Sequence, residues 1–254
     1  MGTPRTDGLR WEHGMVGLGL VLLALGHVMG LFFAPAEAMM GDVGRILYVH
    51  VPTAWADMLL YTACFGFAVA TLWTGKATYD AAVEASAEVG VLYNALLLFQ
   101  GSVWARPTWG VYWTWDPRLT TSAVVLVLFL GVLVLRKVIV EPERRLNLSS
   151  IAAVLAYVGV PIVYFSVKWW RTLHQPFSSP QTVDGSFITP LRVAAFGMIF
   201  LGFGLVGLRW RALRRVLTRD LAAPALPEAA PRLLLPGEAG ASEPTAAQPP
   251  RGVL

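Results

Sequence analysis

The chain has 254 residues, of which 56% are hydrophobic and only 14% charged. This composition is typical of an integral membrane protein and excludes an ordinary soluble globular domain. The formal net charge is +4, but the basic residues lie between apolar stretches and near the C-terminus, with no basic stripe interleaved with aromatics, so nucleic acid is not an expected partner.

Six apolar stretches approach the length of about 20 residues that a helix needs to cross the hydrocarbon of a bilayer. The predicted fold class is all-α, a polytopic membrane protein with six transmembrane helices in one domain, residues 15–221. The first stretch is longer than the core of a signal peptide, so we expect it to be retained. The six predicted spans are 15–34, 53–74, 84–105, 120–138, 149–168 and 191–210.

Basic residues are distributed unequally between the two sides of this six-span topology. Twelve Lys and Arg residues fall on the side that holds both termini, and six fall on the other side. The positive-inside rule therefore predicts that both termini are cytoplasmic. We expect a short N-terminal segment, 1–14, and a disordered Pro/Ala-rich tail, 222–254. Three connections then share the extracytoplasmic face: 35–52, 106–119 and 169–190.

Two histidines lie in these extracytoplasmic connections, far apart in sequence. His50 comes just before Pro52, which suits the first turn of the second helix, and His174 follows the fifth helix. A lone histidine there is more often an ordinary interfacial residue, but the shared face and aromatic neighbours favour a common ligand. Because two imidazoles can bind an iron from both sides, the pair predicts a haem site. Cys64 is the only cysteine, so we expect any haem to be bound non-covalently.

The connection before the fourth helix is rich in tryptophan. Tryptophan gathers at membrane interfaces as an anchor, which explains isolated residues such as Trp73. Anchoring explains the density of this segment less well, and Trp109 and Trp113 would share a face if the segment were helical. Flat indoles offer a surface for a porphyrin, so we interpret the segment as a platform for the ligand. Its tryptophans are Trp109, Trp113 and Trp115, with Trp104 just before them.

Charged residues near the platform have more than one interpretation. Asp116 precedes Pro117 and a long apolar helix, so its carboxylate is suited to capping that helix as well as to contacting the ligand. Arg118 is suited either to a surface ion pair with Asp116 or to a haem propionate. Arg45 and Arg171 are competing candidates for the propionates.

Several polar residues lie at membrane depth, where burial of polar groups is costly. Glu84 and Glu88 are one turn apart near the predicted cytoplasmic end of the third span, and His27 lies in the first span. We expect the third-span residues to face the bundle interior and bond to one another. A proton or solute path is the less favoured interpretation, because the polar residues form no continuous stripe.

The tryptophan segment, Trp109-Gly110-x-x-Trp113-x-Trp115-Asp116-x-Arg118-Leu119-Thr120, resembles the WWD signature of the haem-handling proteins of cytochrome c maturation. The segments His50–Trp55 and Trp169–Gln175 resemble the two histidine segments of the CcmC family, which has six spans. The resemblance extends from the first span through the sixth. The related CcmF and CcsA types share the tryptophan motif but differ in length or number of spans.

The resemblance implies a protein of the bacterial inner membrane that holds haem b on the periplasmic face. His50 and His174 would be the axial ligands, and the ring would lie against the WWD loop. The haem would then pass to the chaperone CcmE for covalent attachment, with CcmA, CcmB and CcmD as further partners. The implied role is that of a haem chaperone with lyase-like function, in which no catalytic side chain is identified.

Two alternatives remain at this point. A b-type electron-transfer subunit would also use paired histidines, but such subunits usually hold haem between spans rather than at helix ends. A transporter of haem or another solute would need polar groups and interrupted helices near the midplane, for which the third span gives only weak support.

Overall fold

The computed structural model describes residues 10–174 and 185–222, with the side chains of 217–222 excepted. A π-helical turn, Met29–Phe33, extends the first helix, and a 3-10 helix, Asp42–Ile46, leads into the second. The α-helices in these ranges are α1 Trp11–Val28, α2 Leu47–Thr74, α3 Ala77–Trp109, α4 Pro117–Val138, α5 Pro142–Tyr157, α6 Gly159–Trp169 and α7 Gly185–Ala222.

Six helical segments in the described part of the chain are long and apolar enough to cross a membrane, which confirms the predicted all-α polytopic fold. The fifth of them, Pro142–Trp169, consists of α5 and α6 together. The break between these two helices is explained by Pro161, which has no N–H to donate to the carbonyl of Tyr157.

The second span begins earlier than predicted. The α-helix starts at Leu47 rather than at residue 53, so His50 lies in its first turn and not in a connection. Pro52 is correspondingly inside the helix. It occupies the sixth position rather than the first turn, so the chain tolerates the loss of one helical hydrogen bond there.

The other connections are also shorter than predicted, because hydropathy places the ends of helices only approximately. The third helix runs from Ala77 to Trp109 instead of 84–105, and the fourth begins at Pro117 instead of 120. The first helix already includes residues 11–14, and the last reaches Ala222. Parts of the predicted N-terminal segment, third connection and C-terminal tail lie outside the described residues, namely 1–9, 175–184 and 223–254.

The centre of the bundle is formed by α2 and α3, with α4 and α5 packed against them. The ring of Tyr61 on α2 stacks on Phe129 of α4, with centroids 3.9 Å apart and planes at 19°. Small side chains line the contact, so the helices approach closely. Among the buried members are Cys64, Ala68, Ala87 and Ala153.

The first and last spans touch through glycines. A Cβ atom added at Gly26 of α1 would lie 2.4 Å from the backbone nitrogen of Ala194, and one at Gly197 of α7 would lie 2.4 Å from that of Leu23. Real Cβ atoms essentially never come so close, so the two backbones are in direct contact. Small residues permit this packing between helices in a membrane, where no hydrophobic effect drives their association.

A buried charged network closes one end of the bundle. The guanidinium of Arg136 on α4 donates to both oxygens of Asp80 on α3, at 2.6 and 2.7 Å. It also donates to Glu84 at 2.9 Å and to Ser149 of α5 at 2.7 Å. The side chains of Arg136 and Asp80 are 1% and 0% exposed. We call these four residues the arginine hub.

The expected pairing within the third span is wrong in one respect. The polar residues of α3 do face other helices, but Glu84 and Glu88 do not bond to each other. Glu84 joins the arginine hub, while Glu88 accepts from Arg209 of α7 at 2.5 and 2.8 Å. Opposite charges on neighbouring helices stabilise the carboxylates better than a second carboxylate one turn away, which would repel.

Candidate functional site

His50 lies at the opposite end of the bundle from the arginine hub. Its imidazole contacts Trp104 of α3 edge to face, with ring centroids 5.5 Å apart and an angle of 74°. Beneath it lies Gly101, where an added Cβ would be 3.2 Å from Cε1 of His50. The Nδ1 atom of His50 is buried and has no hydrogen-bond partner in the described part of the chain. Nε2 is therefore the nitrogen left for a ligand.

His174 lies beside a carboxylate. Its Nδ1 atom is 3.2 Å from Oδ1 of Asp116, and its side chain is 21% exposed. The ring contacts Trp109 edge to face, with centroids 5.3 Å apart and an angle of 72°. Because Nδ1 faces the carboxylate, Nε2 is again the nitrogen that remains for a ligand. Each histidine thus has an indole of α3 against its ring.

Asp116 connects three parts of the site. Its Oδ1 atom accepts from the backbone N–H of Arg118 at 2.9 Å, which is the predicted N-terminal cap of α4. Its Oδ2 atom accepts from the hydroxyl of Thr172 at 2.6 Å and from the backbone N–H of Leu173 at 2.7 Å. The carboxylate therefore caps one helix and fastens the segment that carries His174.

The charges at this site favour an ionised carboxylate and a neutral imidazole. Burial opposes the charge on Asp116, but hydrogen bonds from Thr172, Leu173 and the Arg118 backbone lower its pKa below the usual value. Burial also lowers the pKa of His174, although the carboxylate beside it acts in the other direction. A neutral imidazole is the form that binds a metal.

The two histidines belong to one cluster. His50 packs against Trp104 of α3, and His174 packs against Trp109, five residues further along the same helix. Four elements supply the cluster: the first turn of α2, the last turns of α3, the start of α4 and the segment after α6. The structure thus brings together segments that are remote in sequence.

The tryptophan segment is not helical beyond α3. The helix ends at Trp109 because Gly110 adopts the left-handed conformation, with φ of 80°. Trp109 and Trp113 consequently do not share a helix face. Trp113 and Trp115 contact each other edge to face at 5.9 Å, and Trp115 is 82% exposed. An open pocket of about 440 Å³ adjoins Trp115 and Asp116, with Arg171 in its lining.

The three candidate arginines have different surroundings. Arg45 donates from Nη1 to the carbonyls of Gly30 and Ala34, at 2.9 Å each, and so binds the end of the first span. Its Nε donates to Asp42 at 2.8 Å. The guanidinium of Arg118 is partly buried and makes no hydrogen bond among the described residues, although it is attracted to Asp116. Arg118 and Arg171 therefore retain more donors for a ligand than Arg45.

Comparison with known proteins places this arrangement in a family. The family model described as Heme exporter protein C matches residues 8–225, which include α1 to α7. The chain belongs to the heme exporter protein C family. The residues of the cluster described above all lie within the matched range.

Three relatives illustrate the similarity. Heme exporter protein C of Bradyrhizobium diazoefficiens is 34% identical over 202 residues, covering 77% of this chain and 76% of the relative. The protein of that name from Escherichia coli K12 is 35% identical over 196 residues, with 76% and 80% covered. A putative cytochrome c biosynthesis ccmC-like mitochondrial protein of Arabidopsis thaliana is 34% identical over 202 residues, with 78% and 77% covered.

The side chains at the candidate site are suited to binding a haem. Within the described residues, no group of three or more His, Cys, Asp and Glu side chains is arranged to hold a bare metal ion. A haem iron needs only axial ligands from the protein. His50 and His174 would be the two donors, and because Nδ1 of His50 is buried, its Nε2 would take that role. Aromatic rings and arginines beside them suit a flat, acidic macrocycle.

Three residues of the candidate site were not predicted from the sequence. Trp104 was counted with the tryptophan-rich segment, but its contact with His50 was not predicted. Gly101 and Thr172 contact His50 and Asp116 respectively. Gly101 and Trp104 lie one turn apart on α3. This spacing indicates a contact with His50 only when α2 is known to pack against α3.

Proposed function

We propose that this chain binds haem b non-covalently on the periplasmic face of the membrane, through His50 and His174, and delivers it to CcmE for covalent attachment. Membership of the heme exporter protein C family supports a role in haem handling for cytochrome c maturation. The observation that carries the finer proposal is the meeting of the two histidines at one end of the bundle, each against an indole of α3.

The side chains of the site have separate tasks in this proposal. His50 and His174 supply Nε2 atoms, and two imidazole ligands would suppress oxygen chemistry at the iron. Trp113 and Trp115, which lie beyond α3, form the platform for the ring. When bound, the haem would supply a vinyl edge for attachment to the chaperone. The chain acts by positioning the two reactants, which makes their reaction effectively unimolecular.

Arginines complete the site by binding the propionates. Arg118 and Arg171 are the better placed candidates, since the contacts of Arg45 are directed to backbone carbonyls and to Asp42. An arginine fork matches a carboxylate in a bidentate contact, which fixes the orientation of the ligand as well as its position.

The proposed location follows from charge. Six spans would put both ends of the membrane domain on the same side, and the excess of basic residues there supports a cytoplasmic location for that side. The arginine hub would then be cytoplasmic and the histidines periplasmic, in a bacterial inner membrane. CcmA, CcmB and CcmD are the proposed partners in addition to CcmE.

A haem stain and an absorption spectrum of the detergent-purified protein test the site. We expect low-spin, non-covalent haem in the wild type, less haem in His50→Ala and His174→Ala, and none in the double variant. His13→Ala, an exposed position on α1, is the matched control and should retain haem. A folded double variant with unchanged haem content would refute the ligand assignment.

Delivery is measured separately by co-expression with CcmE. We expect the double histidine variant to leave the chaperone without covalent haem. Replacement of Trp113 and Trp115 should impair loading of CcmE. Normal loading in these variants would contradict the proposed role, and stable quinone-linked redox cycling of the bound haem would favour an electron-transfer subunit.

A further inference from the structure

The two histidines have unequal surroundings. Nδ1 of His174 is 3.2 Å from the Asp116 carboxylate, whereas Nδ1 of His50 is buried without a partner in the described part of the chain. His50 packs instead against Gly101 and the edge of Trp104, which offer it no acceptor. The two histidines therefore differ in the hydrogen bonding of Nδ1 as well as in their positions.

A carboxylate at Nδ1 changes a histidine as a ligand. It fixes the tautomer with the proton on Nδ1, holds the ring in one orientation and makes Nε2 more basic. The Asp116 carboxylate is itself held by three further donors, from Arg118, Thr172 and Leu173. It can therefore fix the orientation of His174 rather than follow it.

We propose that Asp116 is a positioning residue that makes His174 the stronger of the two axial ligands. His50 is then the ligand whose bond through Nε2 breaks first when haem leaves for the chaperone. This inference rests on the proposed function, since it presumes that both histidines bind the iron. It adds an order of ligand release, which two equivalent imidazoles would not have.

The direct test is Asp116→Asn, because asparagine has nearly the same shape and is also a good N-terminal cap for α4. Loss of such a carboxylate typically lowers metal affinity about 10- to 100-fold, and we expect a loss in this range. The negative charge stabilises the ferric form more than the ferrous form. Each tenfold preferential loss of ferric affinity raises the midpoint potential by about 59 mV. Haem dissociation to a soluble acceptor and potentiometric titration measure the two effects.

Thr121→Val is the matched control. Its hydroxyl donates to the carbonyl of Pro117 in the same first turn of α4, without contact to His174. We expect the haem affinity and midpoint potential of this variant to equal those of the wild type. If Asp116 only stabilised the start of α4, both Asp116→Asn and Thr121→Val would change the haem affinity, without a consistent change in midpoint potential.

Replacing one histidine at a time tests whether Asp116 acts through His174. In His50→Gly supplied with 1-methylimidazole, which has no N–H to donate, Asp116→Asn should still raise the midpoint potential; in His174→Gly supplied with the same ligand it should not. Without an added ligand, His50→Gly should retain more haem than His174→Gly, a comparison that leaves Asp116 intact. Equal retention by these two variants, or equal shifts in both backgrounds, would overturn the inference. Absence of haem from the wild type would refute the proposed function as well, whereas bound haem with an unaltered Asp116→Asn potential refutes only the inference.

Discussion

Replacement of Arg136 by methionine is expected to destabilise the bundle strongly. Methionine keeps much of the length of the side chain but removes its charge and all of its donors. Asp80 and Glu84 would then be two carboxylates one turn apart on α3, with side chains 0% and 9% exposed and their principal cation lost. Because both carboxylates are buried, solvation would compensate little for the loss.

The magnitude follows from the burial of the arginine hub. Removing one partner of a fully buried ion pair typically costs about 3–5 kcal/mol, because an uncompensated charge remains inside the protein. Arg136 contacts Asp80 through two parallel hydrogen bonds, at 2.6 and 2.7 Å, and Glu84 through Nε at 2.9 Å. We therefore expect the equilibrium constant for unfolding to rise roughly a hundred- to four-thousand-fold, at tenfold per 1.4 kcal/mol.

Unfolding in mixed micelles of mild detergent and dodecyl sulfate, followed by far-UV circular dichroism, measures this change. Lys137→Met is the control, since Lys137 is the next residue on α4 and its side chain is 75% exposed. Its nitrogen is 4.0 Å from Glu84 but lies in solvent, so we expect this contact to contribute only about 0–1 kcal/mol. The control should therefore unfold at nearly the wild-type denaturant fraction.

A triple variant decides whether charge compensation is the cause. Asp80→Asn and Glu84→Gln remove the two stranded charges, so adding them to Arg136→Met should recover most of the lost stability. The reasoning is wrong if Arg136→Met is as stable as Lys137→Met. It is also wrong if the triple variant is no more stable than the single one, because the hub would then act through packing alone.

Three other substitutions test separate contacts. Gly26→Val should reduce folded yield and thermal stability in detergent because its Cβ would meet a backbone nitrogen at 2.4 Å, whereas Gly17→Val on the same helix meets nothing within 4 Å and should fold normally. Gly101→Val should displace His50 and lower haem content at least tenfold by absorption; Gly101→Ala, at 3.2 Å, should lower it less, and equal content in both would contradict this account. Asp57→Asn should raise the thermal midpoint, since this buried carboxyl has no ion pair among the described residues; a lower midpoint would show that its charge is used.

Hydropathy was sufficient to predict six spans but not their ends. Charged residues lower the hydropathy of a window, so the sequence predicts a third span from residue 84 and does not include the turns around Asp80. That carboxylate is tolerated only because Arg136 of α4 binds it. Asp57, inside the second span, gives no signal for a related reason, because a single acid does not change a strongly apolar window.

The sequence predicts which residues share one face of the membrane but not the contacts between them. The pairing of histidines and tryptophans on one face follows from the order of the spans. The hydrogen bond between Asp116 and His174 joins positions 58 residues apart, and no local pattern indicates it. Pro52 was misleading because proline at the start of a helix is common, whereas here the preceding residues, including His50, are helical.

The five-residue interval between Trp104 and Trp109 has a consequence for movement of α3. At 100° per residue, their side chains leave the helix about 140° apart and are separated by about 7.5 Å along its axis. A rotation of α3 about its axis would move the two indoles in different directions. If it brought one indole toward its histidine, it would change the other contact differently. The same continuous helix holds Asp80 and Glu84 in the arginine hub. A twist of α3 at the hub that was transmitted along the helix would therefore change the two imidazole contacts unequally.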